Sequence, residues 1–319
     1  MSGLSIIVDS PDATIEPVTL PELLASDTPE ARILMFTFQA DLGPFWDITS
    51  GKVHDIAQKL RFQLMGVRGK TSDTRLTNRV LIIKMKGTHH PIIFVAHSIG
   101  GLVCESVSIL CFSASTKLTE TQVLVGANFE GRSEKVFAKY IRRIAFLGTP
   151  FLPNEEQWAE TGKLFYKLSG STPGNDFEEW SRELVKLKDE FLELLNSREE
   201  SAEPIEVASF FEGNPTELQG GENIMIVQES AAVIDPQCRR PTRLDSDHQG
   251  MCAFKDKDDT NYEKVCMRLR HWVGELAVPK DDELHGRTEN RAIVNGTNEG
   301  FNIGQSSGTI SMYNGGRTS

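Results

Sequence analysis

A serine flanked by small residues, Ala96-His97-Ser98-Ile99-Gly100-Gly101, closes the apolar run PIIFVAH and leads straight into LVCESVSIL. A strand, a Ser on a tight turn and a helix together form the nucleophile-elbow pattern of serine hydrolases. The turn forces the positions two before and two after the Ser to be small, and Ala96 and Gly100 meet that demand, with Gly101 adding room. The helix N-terminus beneath favours developing negative charge, and the Ile99 amide is one expected oxyanion donor.

A Ser hydroxyl needs a base and an acid that orients the base. Of seven histidines, His54 and His271 fall on polar faces of predicted helices, His89 and His90 precede the strand, and His285 sits in a charged segment. His97 adjoins the nucleophile and is expected to point away from it, as a solvated residue. His248, in RLDSDHQGMCAF, follows the last predicted strand, so the order Ser, acid, His is satisfied. For the acid, Glu212 ends the strand PIEVASFF and Glu229 ends NIMIVQES, with Asp245 and Asp247 as outsiders. Residue types alone leave that choice open. The chemistry expected of such a set is acyl transfer, which requires neither metal nor cofactor.

The elements that must position these groups read as α/β. Near-continuous apolar runs at 31–38, 91–97, 141–148, 204–211 and 223–230 are expected strands of a mostly parallel sheet covered on both faces. Two helices are clear between them. One runs from Phe177 to Leu195 with Trp180, Leu184, Leu187, Phe191 and Leu194 on one face. The other follows a Thr260/Glu263 capping box and carries Tyr262, Val265, Leu269, Trp272, Val273 and Leu276. The stretch 153–203 lies where a hydrolase sheet inserts its helical cap, and its apolar helix either lines an acyl pocket or is plain core.

The 319 residues carry a net charge of -11 with no dense Lys/Arg stripe, which argues against nucleic acid as a partner. Five cysteines without C-x-x-C pairing fit neither a disulfide framework nor a zinc site, and point to a reducing, cytoplasmic location. The first residues hold too short an apolar run for a secretion signal, and no stretch approaches the ~18 to 20 apolar residues of a membrane span. The organisation expected is a hydrolase domain over 1–278, a charged linker over 279–295 and a distinct tail over 296–319.

HSIGGLV, FLGTP, SFFEGNPT, ESAAVI and DHQGMCAF occur in order, and together they resemble the fungal SesB-type lipases and esterases of the α/β-hydrolase fold. The resemblance covers about 32–273. It implies Ser98 as nucleophile, Glu212 as acid in an E-x-x-P-T pattern, His248 as base, and a lipid or other apolar ester as substrate. Two departures stand out. The His-Gly-Leu-Gly-Gly loop that helps form the family's oxyanion hole is missing, and Phe151 stands where the family has His after Thr-Pro. A second oxyanion amide is then expected near Thr37 to Gln39, centred on Phe38. Loss of one such donor costs ~3 kcal/mol of transition-state stabilisation, so a catalytically degenerate domain acting in membrane targeting or as an adaptor is the alternative.

The tail has glycines at 296, 300, 304 and 308 with apolar residues between them. NEGFNIGQSSGTI resembles the fungal amyloid signalling motifs and is similar to the core of the RIP homotypic interaction motif, through Gly300, Phe301, Asn302, Ile303, Gly304, Gly308 and Ile310. Alternation of Phe301 with Ile303 and of Ile310 with Met312 suits two short strands, and the Asn and Gln side chains suit stacked amide ladders. The resemblance implies self-assembly, templating by a NOD-like receptor with a matching motif, a role as a cell-death or defence effector, and association with the plasma membrane on activation.

Overall fold

The computed structural model describes residues 18–28, 31–38, 51–66, 78–85, 91–116, 138–169, 177–199, 201, 203–218, 221–234 and 240–277. The linker and tail expectations over 279–319 lie outside the described residues, as do His89, His90, His285 and Gln39.

A six-stranded sheet has the order β2 (Ala31–Phe38), β3 (Asn78–Met85), β4 (Ile92–His97), β5 (Ile141–Leu147), β6 (Glu206–Glu212), β9 (Thr242–Leu244). Strands β4, β5, β6 and β9 are parallel neighbours, and β3 runs antiparallel to both β2 and β4. The sheet is therefore mixed and mostly parallel, with helices on its flanks. Ile92 to Ala96 and Ile144 to Leu147 are all buried, as strands covered on both faces require.

Helices α1 (Leu20–Asp27), α2 (Gly51–Gly66), α3 (Gly100–Thr116), α4 (Glu155–Ser169), α5 (Phe177–Glu199) and α6 (Thr260–Ala277) complete the described fold. Trp180, Leu184, Phe191 and Leu194 of α5 join the main core, and α5 packs on α3 and α4. Of the two readings of its apolar stripe, plain core is the one observed. Trp158 of α4 meets Trp180 edge-on at 5.9 Å, locking the two helices together.

Three expectations need correction. The apolar run 223–230 does not add a strand to the main sheet: only Asn223–Ile224 pairs, as β8 in a small hairpin with β7 (Thr216–Glu217), and 229–232 is a 3₁₀ turn. The reversed strand β3 and the edge strand β9 were not expected. Helix α6 is capped by Asp259, whose Oδ1 accepts from the amides of Asn261 at 2.8 Å and Tyr262 at 3.3 Å, so Thr260 is the first helical residue and not the cap. Two short pairs, β1 (Val18–Thr19) with β10 (Ala253–Phe254) and β7 with β8, finish the topology. Contacts divide the chain into Met1–Val273 and Gly274–Ser319. The four cysteines among the described residues are free thiols, and no described helix is long and apolar enough to cross a membrane.

Candidate active site

At the end of β4 the backbone of Ser98 has φ 56°, the one left-handed non-glycine among the described residues. For an L-residue with a Cβ this costs on the order of 1–3 kcal/mol, so the surroundings must impose it. They do so through three hydrogen bonds. The Ser98 amide donates to Leu147 O at 2.9 Å, while the Ser98 carbonyl accepts from the Gly101 amide at 3.0 Å and from Thr149 Oγ1 at 2.9 Å. The bond from Thr149 explains Gly101, since a Cβ there would lie 2.2 Å from Thr149 Oγ1. Helix α3 then begins at Gly100, so the positive end of its dipole lies directly after the nucleophile.

The base comes from the loop after edge strand β9. His248 Nε2 stands 3.0 Å from Ser98 Oγ, and His248 Nδ1 stands 2.8 Å from Glu212 Oε2. Glu212 ends β6 and is fully buried. Its other oxygen, Oε1, accepts from the amides of Ile226 and, at 2.8 Å, Val227. Here lies the reason that 223–230 is not a sheet strand: its central amides serve the carboxylate instead of a neighbouring strand.

His248 is 1% exposed and held through both its backbone and its ring. Its own amide donates to Thr216 Oγ1 at 3.0 Å, the Thr of the E-x-x-P-T run. Phe165 of α4 meets the ring edge-on at 5.6 Å. Gly148, at φ +61°, clears the remaining face, because a Cβ there would come within 3.0 Å of His248 Cε1 and 2.9 Å of Met251 Sδ. Ser98 is 7% exposed and His248 1%, so the pair is nearly enclosed and Phe165 forms part of the cover. Protection of this kind keeps a charge relay out of bulk water, where its hydrogen bonds would weaken.

Ser98, Glu212 and His248 are thus brought together, and the remaining candidates are not. Glu229 is exposed on its 3₁₀ turn. Asp245 pairs with Arg243 and Lys264 at 3.2 Å each, and Asp247 accepts from the Gly250 amide at 2.7 Å. His54 and His271 are exposed. Phe151, which follows Thr149-Pro150, is buried and packs edge-on against Phe146 at 5.0 Å.

Two placements overturn expectations. Phe38 pairs with Asn78, and β3 lies between β2 and β4. The β3–β4 ladder ends at Val80↔Ala96, and β3 separates the end of β2 at Phe38 from the strand that leads into Ser98. Phe38 is then two strands from the nucleophile, about 9 to 10 Å away, whereas an oxyanion donor must reach within ~3 Å. It cannot be the second donor, because the reversed strand β3 occupies the neighbouring place. Ile99, between Ser98 and the start of α3, is fully buried.

His97 is the second correction. It is partly buried, its Nε2 lies 2.7 Å from the His248 carbonyl oxygen, and the two rings are 5.1 Å apart. Burial, and next the neighbouring His248, push its pKa down to about 3, so it is neutral near pH 7. Strand alternation predicts opposite directions for residues 97 and 98. The left-handed turn at Ser98 breaks that alternation and lets both face the loop of His248.

Comparison with protein-family models, with curated proteins and with solved structures finds no match.

Proposed function

We propose that this chain is a serine carboxylic-ester hydrolase of the α/β-hydrolase fold, related to the SesB-type lipases and esterases, in which Ser98 is the nucleophile, His248 the base and Glu212 the orienting acid. The observation that carries the reading is the continuous relay from Glu212 Oε2 to His248 Nδ1 at 2.8 Å and from His248 Nε2 to Ser98 Oγ at 3.0 Å, on a nucleophile held at φ 56°. A merely structural serine has no need of a strained turn, and strain of this kind concentrates at functional sites.

In the reaction Ser98 Oγ attacks the ester carbonyl and His248 Nε2 takes its proton. Glu212 accepts the Nδ1–H, which fixes the tautomer and stabilises the imidazolium. The Ile99 amide donates to the oxyanion, the alcohol leaves with the proton from His248, and water activated by His248 then hydrolyses the acyl-enzyme. The substrate would be a lipid or another apolar ester, reaching Ser98 past Phe165. We place this activity under the control of the tail: a NOD-like receptor with a matching motif templates its assembly into cross-β, and the hydrolase acts as a cell-death or defence effector at the membrane.

One observation favours a second reading, a hydrolase-fold adaptor without turnover. The place beside β4 is filled by the antiparallel strand β3, which puts Phe38 out of reach as an oxyanion donor. Fluorophosphonate labelling of the purified full chain decides between the two, with and without seeding by fibrils of a 294–319 peptide. The hydrolase is expected to label at Ser98, faster after seeding, and Ser98→Ala to remove the label. A wild-type chain that never labels, seeded or not, would leave the adaptor.

A further inference from the structure

His97 is adjacent in sequence to the nucleophile and adjacent in space to the base. Its Nε2 is 2.7 Å from the carbonyl oxygen of His248. Since a carbonyl only accepts, the Nε2–H tautomer of His97 must be the donor. The ring is 5.1 Å from that of His248 and tilted by 40°. Among the polar contacts of the base, the bond from His97 differs in kind. Glu212 and Ser98 hold the imidazole itself, and Thr216 holds the amide of His248 from the β7 hairpin. His97 alone ties the backbone of the base to the residue that precedes the nucleophile.

The mechanical consequence follows from the chain. Ser98 is anchored to β5 through Leu147 O, whereas His248 lies on a loop beyond the edge strand β9. His248 is also held by Glu212, Thr216 and Phe165, all on elements other than β4. The bond between positions 97 and 248 adds a link from the residue next to the nucleophile to the backbone of the base.

We propose that His97 is a positioning residue: by donating Nε2–H to the His248 carbonyl it sets the approach of His248 Nε2 to Ser98 Oγ. This rests on the hydrolase reading above. Because it is neutral near pH 7, His97 donates to the carbonyl without placing a second positive charge beside the imidazolium that forms on His248 during attack.

The test compares two variants in the full chain. Gln carries an amide N–H about as far from the backbone as Nε2, and Leu fills similar space without a donor. With 4-nitrophenyl butyrate as substrate, His97→Leu is expected to lower kcat by ~10 to 100-fold, the range a misplacement of about 1 Å produces, with KM changed less than about twofold. His97→Gln should recover to within a few-fold of wild type. Thermal melting of all three is expected to coincide. A second readout does not need turnover: the downfield proton resonance of His248 Nδ1–H should be sharp in wild type and His97→Gln and broadened in His97→Leu. Equal kcat and an unchanged resonance in His97→Leu would overturn the proposal, as would a His97→Gln variant as impaired as His97→Leu. If wild type neither turns over nor labels, the hydrolase reading fails by itself, and the resonance comparison still decides whether His97 positions His248.

Discussion

Glu212 and Glu105 are both fully buried carboxyls within a few residues of the site's elements, and they are solvated by the protein in opposite ways. Glu212 closes a parallel strand, where three donors converge on it: the amides of Ile226 and Val227 on Oε1, and His248 Nδ1 on Oε2. Glu105 lies in the second turn of α3, a helix buried almost all round, and both its oxygens are without a hydrogen-bond partner. Burial therefore drives its pKa up to about 8, with the charge of Lys188 pulling the other way. Glu105 is thus a neutral acid at pH 7. Placement at a strand end gives a carboxylate access to loop amides, whereas a helix interior has already spent its own amides on the helix.

Exchanging the two behaviours at Glu212 has the largest expected effect. Glu212→Gln keeps an oxygen for the Ile226 and Val227 amides but turns an N–H toward His248 Nδ1, which favours the tautomer with Nε2 already protonated. Such a swap in a serine triad lowers kcat by about 10⁴-fold. Fluorophosphonate labelling should slow by a comparable factor while the circular dichroism spectrum stays that of wild type. A Gln variant that labels at the wild-type rate would reduce Glu212 to a buried acceptor for two amides, with no orienting role.

At Glu105 the expected change is in stability. Its folded-state pKa of about 8 is above its ordinary value of 4.5, so between the two the folded chain holds a proton that the unfolded chain has released. Stability is then lost as pH rises through that window, by about 1.4 kcal/mol for each unit, with nothing lost below it and the loss complete above it. Glu105→Gln cannot titrate, and its melting temperature should fall less than that of wild type between pH 5 and pH 8. At pH 5 it should gain nothing, because the buried amide introduces unpaired donors. Equal slopes for the two proteins would mean that Glu105 finds partners or water that relieve it.

The elbow and the ends of its strands were legible in the sequence because they rest on local chemistry. An apolar run, a Ser among small residues and an acid followed by Pro215 and Thr216 all act within a few residues of themselves. What was not legible depends on where other strands lie. VLII in β3 is a short apolar run bounded by Arg79 and Lys84, and nothing local fixes its direction, yet that direction displaces Phe38 from the nucleophile. Residues 223–230 have the composition of a strand, and only the position of Glu212 shows why their amides turn elsewhere. His97 departs from the solvated position expected of it because the turn that φ 56° at Ser98 creates follows it directly. Gly148 and Thr149 stood in the FLGTP motif, but their roles in clearing His248 and bonding Ser98 appear only with the sheet assembled.

The smallest expected effect isolates what a charge contributes when it is not a hydrogen-bond donor. Lys188 of α5 is partly exposed and acts on Glu105 only through its field, favouring the ionised carboxylate. Lys188→Met removes that field, so the Glu105 pKa should rise further, by a fraction of a unit as befits a screened pair. The loss of stability then extends to higher pH: the variant and wild type should melt alike in their response near pH 6, and the variant should fall behind between pH 8 and pH 9. In 1 M salt, where the Debye length is about 3 Å, the difference should shrink. Labelling of Ser98 should be unchanged, since the amides that hold Glu212 act at hydrogen-bond distance and feel neither Lys188 nor salt. A variant whose loss of stability ends at the same pH as that of wild type would show that the lysine does not reach the buried acid, and that burial alone keeps Glu105 neutral.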